Sequence, residues 1–461
     1  MKRKDLQPTM DNIKQTFIDD TIGRNKDLLS FIQILCSIDD NYSIALDSSW
    51  GSGKTFFVKQ VKMIFDSSNA FGYDSVEEKD KILQEWDKLS EDVDISVNSN
   101  VTIYYDAWEN DCDEDPIYSL IYQIVLNTNN NEGLNKKISF DDVLAAAGRF
   151  TEAISGINPN EIVESLKSKS ILEELIEKKS IDTIIKGFID SILPEHGDRL
   201  VIIIDELDRC NPKFAVKLLE KIKHYFYNDR ITFVFSVNLS ELQQTIKHYY
   251  GENFNAGKYL DRFFDLRISL PPVNLNKYYE SIGYYNSSDV IDKSISLVIS
   301  KYDLQLREIA KFITIVRAAT YEYERIKDFF PQTKHFLLQV VVPMAIGLKL
   351  TDPCKYSDFV NGKNSSPLKE FYSDSETLNN VSYFLSMLYD SESNLNFTDE
   401  PPIILNFHHT LYTFYNFFFN GRNEQKMGRC IIRNKDRDFF FNVMSLLSRK
   451  PTIILTNTEE T

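Results

Sequence analysis

The sequence predicts an α/β fold: a five-stranded, mostly parallel sheet with helices on both faces, a helical insertion and a helical C-terminal domain. Two stretches carry that prediction. The first is Asp47-Ser48-Ser49-Trp50-Gly51-Ser52-Gly53-Lys54-Thr55. It lies between a short apolar run, Ser43 to Leu46, and a segment, Phe56 to Phe65, with apolar residues at helical spacing. Strand, glycine-rich turn and helix in that order are the setting of a phosphate-binding loop. The second is Leu200-Val201-Ile202-Ile203-Ile204, which runs straight into Asp205-Glu206-Leu207-Asp208. An unbroken, mostly β-branched apolar run reads as a central parallel strand buried on both faces.

The chemistry of these stretches follows from what a phosphate chain needs. Backbone N–H groups at a helix start, helped by the helix dipole, hold anions. Ser49, Trp50, Gly51, Ser52 and Gly53 supply that backbone, and the two glycines let it approach without a Cβ in the way. Lys54 is expected to reach the β- and γ-phosphates, and the Thr55 hydroxyl to ligate Mg²⁺. Asp205, at the carboxyl end of its strand, is expected to hold the Mg²⁺ shell, with Glu206 polarising a water for attack on the γ-phosphate. The full loop pattern asks for a glycine where Ser48 stands.

Composition narrows the class. With 26% charged and 43% hydrophobic residues the chain reads as an ordinary globular protein. Fifty-two basic against 68 acidic residues give a net charge of −16, which argues against wholesale electrostatic binding to nucleic acid or anionic lipid. Five scattered cysteines without zinc spacing point to reduced thiols in a cytoplasmic compartment. The most lipid-like segment, Phe336 to Leu348, falls short of the ~20 residues a bilayer span needs. No transmembrane segment is expected.

In chain order, residues 1–42 read as a helical lead-in, with Gly23 and Arg24 either at the edge of a nucleotide base or in a surface turn. The core spans 43–272, with strands near 43–47, 101–105, 200–204, 231–237 and 265–270. A polar, partly helical stretch covers Glu77 to Leu89, and a helix covers Ile117 to Asn127. Residues 128–198 read as a helical insertion without membrane character. The strand ending at Val237 places Asn238 as a candidate γ-phosphate sensor.

Several of these stretches together resemble the KAP family of P-loop NTPases. They are Trp50 to Thr55, Asp106-Ala107-Trp108, Ile204-Asp205-Glu206-Leu207-Asp208-Arg209-Cys210, and Tyr259-Leu260-Asp261-Arg262 ahead of Leu270-Pro271-Pro272. The resemblance covers residues 15–330. It implies a relation to AAA+ and similar NTPases, with an extra strand between the phosphate-loop strand and the Mg²⁺-binding strand. It also implies an ATPase that works as a conformational or oligomeric switch, with ATP and Mg²⁺ as ligands and a role in prokaryotic anti-phage defence. Two departures stand out: Ser48, and an insertion lacking the transmembrane helices that many members carry.

Arg262 is the expected arginine finger, acting on the nucleotide of a second copy; an ion pair with Asp261 or Asp265 is its rival reading. The remainder, 273–461, reads as helical and rich in Tyr and Phe. Arg307 is a candidate lid arginine, and Phe407, Leu411, Phe414 and Phe418 form a core stripe. A basic cluster, Arg422, Lys426, Arg429, Arg433, Lys435 and Arg437, is either a solvated face or a contact to a phosphate backbone. The expected partners are a nucleotide, a second copy of the chain and an effector encoded nearby. A nucleotide-binding scaffold with little hydrolysis, or a nucleic-acid remodeller, are the alternatives.

Overall fold

The computed structural model describes residues 7–68, 76–93, 100–113, 116–129, 199–281, 290–326, 332–373, 400–421, 424–428 and 430–446, and positions 95, 97 and 284. The expected insertion at 128–198 falls, but for its first two residues, outside the described residues. The described chain divides into two units, over Leu6–Ser281 and Ile282–Thr461.

Five parallel strands form the sheet of the first unit: β1 (Tyr42–Asp47), β2 (Asn100–Asp106), β3 (Arg199–Asp205), β4 (Ile231–Val237) and β5 (Leu266–Ser269). Their order is β2-β3-β4-β1-β5. So β4 separates the phosphate-loop strand β1 from the acidic strand β3, the arrangement the resemblance implied. Register aligns the carboxyl ends: Asp106 pairs with Asp205, Asp205 with Ser236, and Asp47 with Val237. In open α/β sheets ligands bind beyond these ends, where the strand order reverses. Here β1 and β4 flank that point.

The apolar runs form strands because helices cover both faces. Ile202, Ile204, Phe233 and Phe235 pack with α5 (Pro116–Asn129), α6 (Pro212–Tyr225) and α7 (Leu239–Tyr250). On the opposite face Ile44, Leu46, Val201, Ile203 and Val234 pack with α1 (Met10–Ile18), α2 (Asn25–Cys36), α3 (Lys54–Ser68) and α4 (Val76–Leu89). Successive residues of β3 therefore alternate between two cores, as a strand's period of two requires.

The lead-in docks on the segment that leaves β5. Ile22 O accepts from Asn274 N (3.0 Å), and Lys277 pairs with Asp20. Gly23 has φ +67°, and a Cβ there would lie 2.6 Å from Asn274 Cβ. Both facts demand glycine. Gly23→Ala is expected to cost about 1–3 kcal/mol, since a close-packed site cannot absorb the added carbon. A urea midpoint that does not fall would contradict this docking.

The second unit is mostly helical, including Val290–Lys301, Leu306–Ile326, Pro353–Val360, Glu400–Tyr415 and Asn434–Leu446. It also contains a hairpin, β6 (Gln425–Met427) and β7 (Cys430–Ile432), which the helical reading of this region did not include. Gly428, at φ +58°, lies between its strands. Of the aromatic stripe, Leu411, Phe414 and Phe418 are fully buried, and the last two stack at 5.5 Å. Among the described residues one helix, Thr333–Thr351, is long and apolar enough to cross a membrane. Its residues Leu337, Val340, Val341, Val342, Met344 and Ala345 are buried inside the protein.

Candidate active site

The phosphate loop leaves β1 at Asp47, and Ser48 N donates to Val237 O at 3.3 Å. Gly51 and Gly53 have φ of +81° and +95°, conformations that side chains rarely adopt. Ser48 is not among the residues with positive φ, so the local backbone does not require a glycine there. The loop closes when Phe57 N bonds Gly53 O (3.1 Å) and α3 begins.

Lys54, at the first position of α3, is 8% exposed, and its Nζ donates to Ser48 O (2.5 Å) and Ser49 O (3.1 Å). Burial lowers its pKa, while the carboxylates of Asp208, Asp205, Glu206 and Asp47 oppose that shift. The Ser52 hydroxyl is buried without a hydrogen-bond partner among the described residues. A buried ammonium and an orphaned hydroxyl, in a loop with two left-handed glycines, fit a polyanion.

The second motif meets this loop. Asp205, 1% exposed, accepts from Tyr104 Oη (2.9 Å) and from Glu206 N (3.0 Å). Thr55 Oγ1 donates to Glu206 Oε1 at 3.5 Å, across 151 positions of chain. Glu206 has φ +61°, an unusual conformation for a residue with a Cβ. Its pKa is raised to about 7, first by burial and then by Asp205, with Arg209 pulling it down. Bases near neutrality suit proton transfer at neutral pH. Asp208, 5% exposed, accepts from Trp50 Nε1.

Asn238 stands at the end of β4, beside the loop. Its Oδ1 caps α7 by accepting from Ser240 N (3.1 Å) and Glu241 N (3.3 Å). Part of the side chain thus has a structural task. Arg24 does not sit at an exposed edge. It is buried and donates to Ser52 O (2.8 Å) and Pro271 O, bracing the loop from behind.

Arg262 is elsewhere. It is exposed and forms no side-chain hydrogen bond or ion pair among the described residues. Asp265 N bonds Ser43 O (2.8 Å), which places this segment at the amino end of β1, opposite the phosphate loop. Its two expected ion-pair partners are engaged: Asp261 with Arg267 (2.5 Å), and Asp265 Oδ2 with Ser43 N (2.9 Å).

Arg307 is exposed, within the second unit. Of the basic cluster, Arg422 and Arg429 lie outside the described residues; Arg433 pairs with Glu424 (3.7 Å), and Arg437 donates to Asn434 and Phe417 O.

Sequence reasoning assigned no role to Tyr104 or Arg209. Tyr104 was legible as a strand residue, but its bond to Asp205 depends on β2–β3 register. Arg209 was visible only as the end of an acidic motif.

The profile of the KAP family P-loop domain matches residues 24–323. The chain belongs to this family. The KAP assignment spans the phosphate loop, the acidic strand and Arg262, and makes this a nucleotide-binding P-loop protein. No curated protein matches the sequence. Among solved structures, the chain is similar to the ORC2 protein of Aeropyrum pernix, determined as ADPNP–ADP complexes. Identity is 10%, coverage 92% of this chain and 94% of that chain, and the TM-score 0.30.

Proposed function

We propose that the chain is a Mg²⁺-dependent ATPase that converts nucleotide state into a conformational or oligomeric switch. The observation that carries this reading is the meeting of Thr55 with Glu206, beside the buried ammonium of Lys54. A loop that bound phosphate without Mg²⁺ would need no carboxylates at this point.

Lys54 and the loop N–H groups hold the phosphates of the substrate. Thr55 and Asp205 would hold Mg²⁺, completed by phosphate oxygens and water, since this ion is usually bound by few protein ligands. When bound, the ion neutralises charge on the transferred phosphoryl group. Glu206 orients the attacking water and takes its proton. Tyr104 holds Asp205 in place through the 2.9 Å bond. Ser48 lies outside the left-handed region, which supports a loop that tolerates serine there; steady-state turnover separates this reading from a scaffold that binds with little hydrolysis.

The defence role rests on the KAP resemblance, and an effector gene beside this one would support it. A cytoplasmic location is part of the same reading. The nucleotide reading is tested with Lys54→Ala and calorimetry of Mg·ATP on folded protein. Hydrogen bonds to charged groups contribute about 1.5–3 kcal/mol, so affinity is expected to fall about 10- to 100-fold. Unchanged affinity would refute it.

A further inference from the structure

Arg209 is placed by three side chains, two of which, Glu206 and Trp50, belong to the candidate site. Its Nε pairs with Glu206 Oε2 at 2.5 Å, while Thr55 takes the other oxygen of the same carboxylate. Its guanidinium carbon lies 5.7 Å from the Trp50 ring and 5.5 Å from the Trp108 ring. Indole faces attract a guanidinium through the ring quadrupole, by about 0.5–1 kcal/mol at exposed sites. Both rings are partly in solvent, 44% and 53% exposed, which is unusual for tryptophan unless the ring has a task.

Each indole is itself fixed. Trp50 belongs to the phosphate loop and donates Nε1–H to Asp208. Trp108 sits in a turn after β2, where Asp106 Oδ1 accepts from Trp108 N (3.1 Å) and Glu109 N (3.0 Å). The guanidinium thus joins three separate pieces of backbone: the loop after β1, the turn after β2 and the turn after β3.

We propose that Arg209 is a positioning residue that ties the Glu206 carboxylate to the phosphate loop through the Trp50 and Trp108 rings. The inference rests on the hydrolytic reading above and adds how that site is set. Glu206 lies in a left-handed backbone position, just before a single 3₁₀ turn, Leu207–Arg209. A carboxylate at such a turn has several rotamers open to it, and the ion pair with Arg209 selects one. Because Trp50 is part of the loop, the pose of Glu206 depends on the state of the backbone that cradles phosphate. The acidic turn after β2 gains a purpose in the same arrangement: Asp106 shapes the turn that presents Trp108.

The test is a double-mutant cycle on the full chain, read as kcat, KM and calorimetric affinity for Mg·ATP. Misplacing a reacting group by about 1 Å costs up to 10²-fold. Arg209→Ala is therefore expected to lower kcat about 10- to 100-fold with KM and affinity near wild type. Arg209→Lys keeps a donor for Oε2 without the planar fork, and should recover part of the loss. Trp108→Ala should lower kcat in the same direction and add nothing to Arg209→Ala. In a Glu206→Gln background, Arg209→Ala should cause little further loss, because a residue acting through Glu206 has nothing left to position.

Multiplicative losses with Glu206→Gln, or a raised KM, would mean that Arg209 meets the substrate itself, and the proposal fails. If Arg209→Lys loses as much as Arg209→Ala on folded protein, the proposal also fails. Should Glu206→Gln alone leave turnover intact, it is the assignment of Glu206 that falls, a different result from either of these.

Discussion

Glu206→Gln is expected to retain Mg·ATP binding and to lose hydrolysis by about 10²-fold or more, the usual consequence of removing a general base. The amide has the shape of the carboxylate; its one oxygen can keep the bond from Arg209 while its NH₂ donates to the Thr55 hydroxyl, so Lys54 and the loop backbone are not directly touched. What disappears is the basicity that takes a proton from water. Burial and Asp205 already push this carboxyl up to about 7, and Arg209 works against that shift. Kinetics and calorimetry on one preparation separate the two steps: affinity within a few fold of wild type, with kcat collapsed. Asp208 is the carboxylate that could take its place, yet it is bonded to Trp50 Nε1. If Asp208→Asn stops turnover while Glu206→Gln does not, the base has been assigned to the wrong residue.

Much of this architecture was legible in the sequence because its signals are local. Four strands end in marked changes of residue type: Leu46 to Asp47, Tyr105 to Asp106, Ile204 to Asp205, Val237 to Asn238. A buried parallel strand has to be apolar on both faces, so its limits show without reference to anything else. The glycines of the loop and the lysine after them likewise speak for themselves. The Arg209 arrangement does not. It exists because strand order brings the turns after β1, β2 and β3 to one end of the sheet, and no spacing along the chain encodes that. Asn238 reads as a polar strand end, but capping depends on α7 starting at the very next residue. Gly23 and Arg24 look like surface punctuation until β5 and Pro271 arrive beside them. The β6–β7 hairpin escaped for a simpler reason: strands of three residues are too short to show a period of two.

Arg262→Ala is expected to reduce turnover by about 10³-fold or more if it acts as a finger, the size of effect such arginines have in phosphoryl transfer. Geometry decides how it would act. β1 has six residues and so spans roughly 20 Å. Arg262 lies near one end of it and the phosphate loop at the other, so the side chain cannot serve the nucleotide of its own chain. Its exposure, and the engagement of Asp261 and Asp265 with other groups, leave the guanidinium available to a second molecule. A guanidinium inserted there would neutralise charge developing on the transferred oxygens while forming no contact in the isolated chain. Turnover per chain should then rise with protein concentration as copies associate. Arg262→Ala subunits should also poison wild-type ones in mixtures, because each mutant disables a neighbour's site. The same mutant should bind Mg·ATP normally as a monomer, since its own loop is intact. Turnover that is flat with concentration, with mixtures losing activity only in proportion to the mutant fraction, would leave Arg262 outside the reaction.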